Sequence, residues 1–299
     1  MKYFIILFLG IYGTSFAKEL VCRNQKDQMV DQVGENDFLG GCSKLGDRTI
    51  LGNGYVQTYV NLNKDGSPRA IGYVFPQETL DNLPPKTVLH DGLHCFDVNG
   101  DGVIENNTEC AGGHQRFLFL PNDRGNTPIN WALLNWNPAG HQPVGVYDHP
   151  HFDFHFYIQS FFERNAIDVG PCAGLTNCEV YAKAIKDVPA KYMPVGYINP
   201  KAVEAKMGNH LIDPTSHEFD PQHGHHFTHT LVYGSYDGHI TFIEPMITLA
   251  FLKEKKSECY PIKMATAFEV GGYYPTSYCI RFEGKYYIYL EKFELKKAE

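Results

Sequence analysis

The chain has 299 residues, of which 26 are basic and 34 are acidic, and its formal net charge is −8 at pH 7. It contains no basic run and no basic patch interleaved with aromatic residues, which argues against a nucleic-acid partner. Hydrophobic residues make up 43% of the chain, so it can bury a sizeable core. No segment resembles an interdomain linker, and we therefore expect one large domain.

The N-terminal segment is typical of a secretory signal peptide. MKYFIILFLGIYGTSFAKEL combines Lys2, an apolar run and the small-x-small sequence SFA at 15–17. The apolar run is too short for a membrane anchor. We therefore expect residues 1–17 to be removed and residues 18–299 to form a secreted or periplasmic protein without a membrane span.

All eight cysteines follow the expected cleavage point. In an oxidising compartment, an even number of cysteines favours disulfides over thiolate metal sites, and no CxxC motif indicates redox chemistry. The simplest prediction pairs neighbours in the sequence: Cys22 with Cys42, Cys95 with Cys110, Cys172 with Cys178, and Cys259 with Cys279.

The first predicted element is a β-hairpin. Residues 54–62 (GYVQTYVNL) and 68–75 (PRAIGYVF) have alternating apolar positions and flank a turn at 63–66, a pattern that predicts two antiparallel strands. The next segment, 76–85 (PQETLDNLPP), predicts a short helix that is ended by its two prolines.

A calcium-like loop, DVNGDGVIENNTE, follows within an insertion at 95–110. Its first acidic and amide residues stand at positions 1, 3 and 5 of an EF-hand-like loop, but position 12 is Thr108 and the closing glutamate comes one residue late. Either a structural calcium site or a plain Asp/Asn/Gly turn fits this pattern. The candidate calcium ligands are Asp97, Asn99, Asp101, Glu105 and Glu109.

Residues 151–159, HFDFHFYIQ, alternate aromatic and polar side chains. A strand would place His151, Asp153 and His155 on one face, whereas a helix would keep the two histidines together and turn Asp153 away. The phenylalanines favour the strand. Eleven of the fourteen histidines lie between residues 141 and 239, so this part of the chain is the best place to look for a metal site.

Two helices are expected after this strand. Residues 176–188 (TNCEVYAKAIKDV) have a capping box from Thr176 to Glu179 and apolar residues at helical spacing. Residues 199–208 (NPKAVEAKMG) have an N-cap asparagine, a proline at the first helical position and a terminal glycine.

Two further hairpins are predicted, one over 228–245 and one over 277–295. In the 228–245 hairpin, a two-residue Asp-Gly turn pairs 236 with 239, and hence 231 with 244 and 229 with 246. This register puts Glu244 on an apolar face together with His229. A carboxylate on such a face is costly to bury unless it is paired, hydrogen-bonded or bound to metal.

These elements predict a mainly β fold, a single-domain β-sandwich or barrel with a few peripheral helices. They also suggest one divalent transition-metal site, with zinc as the first choice and iron as the alternative. The alternative reading is a solvated polar face with a salt-bridged glutamate. The proposed metal ligands are His151, His155, His210 and Glu244, with His229 as a ligand or a supporting residue.

The sequence leaves open whether the protein is an enzyme. A hydrolase or lyase would use metal-activated water with Asp153 or Asp213 as base, and would act on a small molecule. The alternatives are a non-catalytic metal-binding or envelope-stress module and an Fe(II)-dependent oxygenase, because His151-x-Asp153 plus a distant histidine has facial-triad spacing. HExxH, GxSxG and dinucleotide-binding motifs are absent from the sequence.

Several segments between about residues 50 and 252 resemble an uncharacterised secreted family, a domain of unknown function typified by a Thermus protein under envelope-stress sigma-factor control. The most distinctive are NWNPAGHQPVGVYDHPHFDFHFY, MGNHLIDPTSHEF and FTHTLVYGSYDGHITFIEPMITLAFL. The resemblance implies a β-rich exported domain able to form homo-oligomers, and it implies no established activity. The matching positions are His151, Asp153, His155, His210, Asp213 and Glu244.

Overall fold

A computed structural model describes residues 43–86, 92–105, 109–220, 222 and 227–299, and the backbone of 22–23 and 29–30. The expected signal peptide and the expected Cys22–Cys42 disulfide lie outside the described residues. Within the described part of the chain, no helix has both the length and the apolar character needed to cross a membrane.

Strands dominate the structure. In chain order they are β1 Cys22–Arg23, β2 Met29–Val30, β3 Ser43–Leu51, β4 Gly54–Leu62, β5 Pro68–Pro76, β6 His94–Cys95, β7 Cys110–Ala111, β8 His114–Phe119, β9 Trp131–Asn137, β10 His151–Tyr157, β11 Ile198–Glu204, β12 Gly208–Ile212, β13 His229–Tyr236, β14 His239–Thr248, β15 Glu258–Pro261, β16 Gly272–Phe282 and β17 Lys285–Lys296. The α-helices are α1 Phe161–Asn165, α2 Cys178–Ala184 and α3 Leu249–Lys253, and short 3₁₀ turns cover Gln77–Leu80, Ala173–Leu175 and His217–Phe219.

Two large antiparallel sheets form the body of the protein. One has seven strands in the order β11-β12-β13-β14-β10-β9-β8, and the other has six in the order β15-β16-β17-β5-β4-β3. Buried side chains from both sheets belong to one hydrophobic cluster. The mainly β prediction is therefore confirmed, and the arrangement is that of a sandwich.

The core between the sheets explains the phenylalanines of β10. Phe152, Phe154 and Phe156 alternate along the strand and are at most 2% exposed. The ring of Tyr73, on β5 of the other sheet, lies 5.2 Å from the rings of both Phe154 and Phe156. Each buried phenylalanine contributes about 1.5–3 kcal/mol relative to an exposed one. This burial fixes which face of β10 points outward.

Three of the four expected disulfides are present in the structure. Cys95 pairs with Cys110 between β6 and β7, Cys172 pairs with Cys178 at the start of α2, and Cys259 pairs with Cys279 between β15 and β16. Each closes a short loop, and in the chain-entropy description a loop of 15 residues gives about 3 kcal/mol.

The helix predictions were partly right. The helix expected over 176–188 exists as α2, but its N-cap is Asn177, whose side chain accepts a hydrogen bond from Val180 N, so the capping box assigned to Thr176 was wrong. The helix expected over 76–85 is a single 3₁₀ turn.

The helix expected over 199–208 is wrong, because this segment forms the hairpin β11–β12 at the edge of the seven-stranded sheet. Asn199, the expected N-cap, accepts hydrogen bonds from Lys201 N and from Asn209 Nδ2. Pairing along the edge of the sheet outweighs a modest helix propensity. Gly208, at φ +90°, begins β12 and does not end a helix.

The turn of the 228–245 hairpin was predicted correctly, but its register beyond the first pairs was not. Tyr236 pairs with His239 as expected, but a bulge between Gly234 and Ser235 shifts the remaining pairs by one residue. Val232, not Leu231, is therefore opposite Glu244. A one-residue shift turns every later side chain to the other face of the sheet.

Candidate metal centre

The polar face of β10 is buried. His151 and His155 are 0% exposed and Asp153 is 3% exposed. These three side chains point away from the phenylalanine core, as the strand interpretation predicts. A solvated outer face, which was the alternative reading, is therefore wrong.

Two small apolar clusters enclose this outward face. On one side Tyr157 stacks on Trp131, with ring centroids 4.1 Å apart, and packs with Phe242. On the other side Phe227 packs against Tyr147 and against the ring of His151. The histidines and carboxylates between these clusters have lost most of their contact with water.

The first set of side chains is His155, His210 and Glu244, here called the central group. The Nε2 atom of His155 lies 3.4 Å from Glu244 Oε1, and the Nε2 atom of His210 lies 3.7 Å from Glu244 Oε2. The three donor atoms that these residues offer lie within 4.8 Å of one another. Three strands, β10, β12 and β14, meet at this group.

The second set is His141, His151 and Asp153, here called the upper group. Asp153 Oδ1 lies 3.1 Å from His151 Nε2, and Asp153 Oδ2 lies 3.9 Å from His141 Nε2. Asn137 on β9 donates a hydrogen bond from Nδ2 to Asp153 Oδ2 at 2.6 Å. The four residues predicted to form a single site thus divide between two groups that share strand β10.

All four histidines are oriented in the same way. Each uses Nδ1 to contact a backbone carbonyl oxygen, which can only accept, so each Nδ1 must carry the proton and donate. The carbonyl partners are Leu133 for His155 at 3.2 Å, Ala202 for His210 at 3.1 Å, His149 for His151 at 2.7 Å and Gln142 for His141 at 2.7 Å. Metal-binding histidines are held by the same kind of contact, which leaves Nε2 free to coordinate.

Burial favours the neutral form of three of these rings, His155, His210 and His141. It lowers the pKa of His155 to about 3, and it also lowers the pKa values of His210 and His141. A neutral ring protonated at Nδ1 presents an unprotonated Nε2. His155 Nε2 and Glu244 Oε2 accordingly have no hydrogen-bond partner.

The carboxyl groups respond differently to the same enclosure. Burial, and then the nearby Asp153 and Glu204, raise the pKa of Glu244 well above its usual range. Burial also acts to raise the pKa of Asp153, but His151 and the other histidines outweigh it and lower that pKa to about 2. In each group, a cation bound between the ring nitrogens and the carboxylate would offset the cost of burying these polar atoms.

The separations in the central group are long for hydrogen bonds and fit the coordination of one ion. Two atoms held tetrahedrally at 2.0–2.2 Å from one zinc ion lie about 3.3–3.6 Å apart. The closest nitrogen–oxygen distances in the two groups are 3.1, 3.4, 3.7 and 3.9 Å. Small side-chain rotations would bring each set onto one ion.

Two of the residues proposed from the sequence lie elsewhere. His229 faces the core side because of the hairpin bulge, and its Nδ1 lies 3.0 Å from the hydroxyl of Tyr278, so its assignment to the metal site was wrong. The carboxylate of Asp213 accepts hydrogen bonds from Thr215 and from Lys263 Nζ. These bonds occupy both of its oxygens, and the structure does not bring it together with either group.

The calcium-like loop forms its own network of hydrogen bonds. Asp97 accepts from Gly100 N and Gly102 N, and Asn99 and Asp101 make similar contacts within the turn. The buried carboxylate of Glu109 accepts from the backbone amides of Val98, Asn99 and Glu105. Such a network is what a plain Asp/Asn/Gly turn requires, and the calcium site stays a prediction.

Sequence reasoning missed three residues near the site. His141 comes from the loop before β10, and Asn137 comes from β9. Glu204 lies opposite Gly208 in the β11–β12 hairpin, and its pKa is raised by burial and affected by His210 and Asp153. The histidine-rich stretch beginning at residue 141 was a signal for the first, whereas the erroneous helix concealed Glu204.

Comparisons with known proteins leave the site to be interpreted from its own geometry. No protein-family model matches the chain, and neither a curated protein nor a solved structure matches it.

Proposed function

We propose that this is a secreted, divalent-metal-binding β protein and that the central group holds a first-row transition metal, with zinc as the best fit. The observation that carries the proposal is that two buried atoms of this group, His155 Nε2 and Glu244 Oε2, have no hydrogen-bond partner. His155 Nε2 lies near Glu244 Oε1, and Glu244 Oε2 lies near His210 Nε2. Two histidines and a carboxylate are a donor set that zinc and iron both accept.

Secretion is supported by the three disulfides and by the signal-peptide pattern. The proposed kinship with the envelope-stress family fits the same location. Disulfides of this kind form and persist in the periplasm or outside the cell.

The number of protein ligands in the central group favours an enzymatic role. Within the described residues the central group supplies three protein donors, and three donors leave a coordination position for water or substrate, whereas a structural zinc site uses four. A zinc ion would lower the pKa of bound water and support hydrolase or lyase chemistry on a small molecule. Asp153 is a poor base because its pKa is about 2, so Glu204 is the better candidate for accepting the proton.

The second candidate is an Fe(II)-dependent oxygenase. The composition of the central group, two histidines and one carboxylate, is that of the facial triad that holds iron for reaction with dioxygen. A non-catalytic metal-binding module is the third candidate, and it requires a fourth protein ligand.

The test compares His210→Ala with the matched control His239→Ala. His239 is a surface histidine whose side chain is 64% exposed and which pairs with Glu269. We expect the wild type and the control to bind zinc or iron, to be stabilised thermally by it and to hydrolyse a panel of chromogenic esters only when loaded. We expect His210→Ala to lose the ion of the central group, the thermal stabilisation that this ion gives and the hydrolysis. Equal metal binding by the three proteins would refute the site, whereas binding without hydrolysis would favour the non-catalytic module.

A further inference from the structure

The upper group has the features of a metal site in its own right. We propose that His141, His151 and Asp153 bind a second divalent first-row cation, so that the protein carries a two-metal centre along strand β10. This inference deepens the proposed function, because it rests on the central group holding the first ion. It adds one residue, His141, that sequence patterns did not identify.

The donor atoms of the upper group are directed at one another. Asp153 Oδ1 faces His151 Nε2 at 3.1 Å and has no hydrogen-bond partner, although the carboxylate is only 3% exposed. His151 and His141 both donate Nδ1–H to backbone carbonyls, so Nε2 is the ring atom that each of them turns towards Asp153. Three possible ligand atoms therefore converge. Asn137 Nδ2 lies 3.3 Å from His151 Nε2, and the buried Asp153 Oδ1 is the atom for which a cation would supply the missing partner.

Surrounding residues support this geometry. Asn137 Nδ2 donates to Asp153 Oδ2 at 2.6 Å, which fixes the carboxylate and leaves Oδ1 available. Phe227 packs against the His151 ring, with centroids 5.3 Å apart. The side chain of His141 is 29% exposed, so this residue lies at the solvent side of the group, where an ion can enter.

The two groups lie next to each other but remain distinct. Each set has its three donor atoms within 4.8 Å of one another, and no residue belongs to both. Asp153 of one group and His155 of the other are two residues apart on the same face of β10, about 6.6–6.8 Å along the strand.

Two cations on one face have a chemical consequence. With the carboxylates of Asp153 and Glu244 as the ligating charges, two divalent ions leave a net charge of about +2 at the centre, which favours an anionic ligand. A phosphate-bearing small molecule is the class of ligand that fits this charge.

The experiment counts metal ions per chain by native mass spectrometry and elemental analysis. It uses the full exported chain without an affinity tag, loaded with zinc or with Fe(II) under anaerobic conditions. We expect two ions in the wild type, one in His141→Ala and one in His210→Ala. A control variant, His225→Ala/His226→Ala, tests for ions held by the histidine-rich sequence at 223–226, and it should keep two.

The outcomes separate the two proposals. One ion in the wild type that persists in His141→Ala but is lost in His210→Ala would overturn the second site and leave the proposed function standing. One ion lost in both variants would mean a single shared site and would also overturn this inference. No ion in the wild type would refute both proposals. If His141→Ala does not fold, judged by its circular dichroism and melting transition, His141→Gln replaces it, with the same expected count.

Discussion

Glu244→Gln should stabilise the metal-free protein. Glu244 is 2% exposed, its Oε2 has no hydrogen-bond partner, and burial together with Asp153 and Glu204 opposes its ionisation. Leaving a buried polar group unsatisfied costs about 1–3 kcal/mol. A glutamine has nearly the same shape, and its amide can donate to the unprotonated Nε2 of His155, so we expect the variant to recover about that amount.

The stabilisation should depend on pH in a defined direction. Because the folded-state pKa of Glu244 is raised, the folded protein keeps a proton that the unfolded chain releases above the ordinary value of 4.5. The folded wild type therefore loses stability relative to the unfolded chain as the pH rises above that value. Glutamine does not titrate, and its advantage should be larger at about pH 8 than at about pH 4.

Metal should reverse the order of stability. A ligand at a hundred times its dissociation constant stabilises the folded state by about 2.7 kcal/mol, and only the wild type can gain this at the central group. The assay is thermal and urea unfolding with chelator and with zinc, where 1 kcal/mol corresponds to about 2–4 °C for a domain near this size. Glu254→Gln, an exposed pair partner of Lys256, is the control and should change stability by less than about 0.5 kcal/mol. A Glu244→Gln protein that is less stable than wild type in chelator would refute this reasoning.

Three further predictions concern the scaffold. Phe154→Ala should cost about 3–5 kcal/mol in urea unfolding, whereas Phe162→Ala at an 84% exposed position should cost less than about 0.5 kcal/mol; similar losses would contradict the assigned faces. Burial lowers the pKa of His229 to about 4, so the wild type should lose about 1–3 kcal/mol as pH falls from about 6.5 towards 4, because the unfolded chain takes up the proton first. His229→Gln should show a flatter curve of stability against pH, and an unchanged curve would count against burial as the cause. Cys95→Ser/Cys110→Ser should lower stability by about 3 kcal/mol, and a fully stable variant would show that the bond constrains little.

The fold could be predicted from the sequence where local patterns were unambiguous. The alternation in HFDFHFYIQ gave the correct strand and the correct face, because three buried phenylalanines leave the polar residues only one direction. Pairing cysteines that are neighbours in the sequence predicted three disulfides correctly. The Asp237-Gly238 turn was also placed correctly.

The site could be predicted only in part, because its geometry depends on long-range pairing. The bulge near Gly234 has no clear signature in the sequence, and it moved His229 away from Glu244. The edge pairing that converts 199–208 into a hairpin brings Glu204 opposite Gly208. His141 lies in a loop whose path depends on contacts with Tyr147, so spacing along the chain could not assign it.

The most direct test of the metal centre is anomalous diffraction at the zinc edge from crystals of the full exported protein loaded with zinc. We expect a peak about 2.0–2.2 Å from the Nε2 atoms of His155 and His210 and from the Glu244 carboxylate. A peak found only at surface histidines such as His239, with none in the central group, would contradict it.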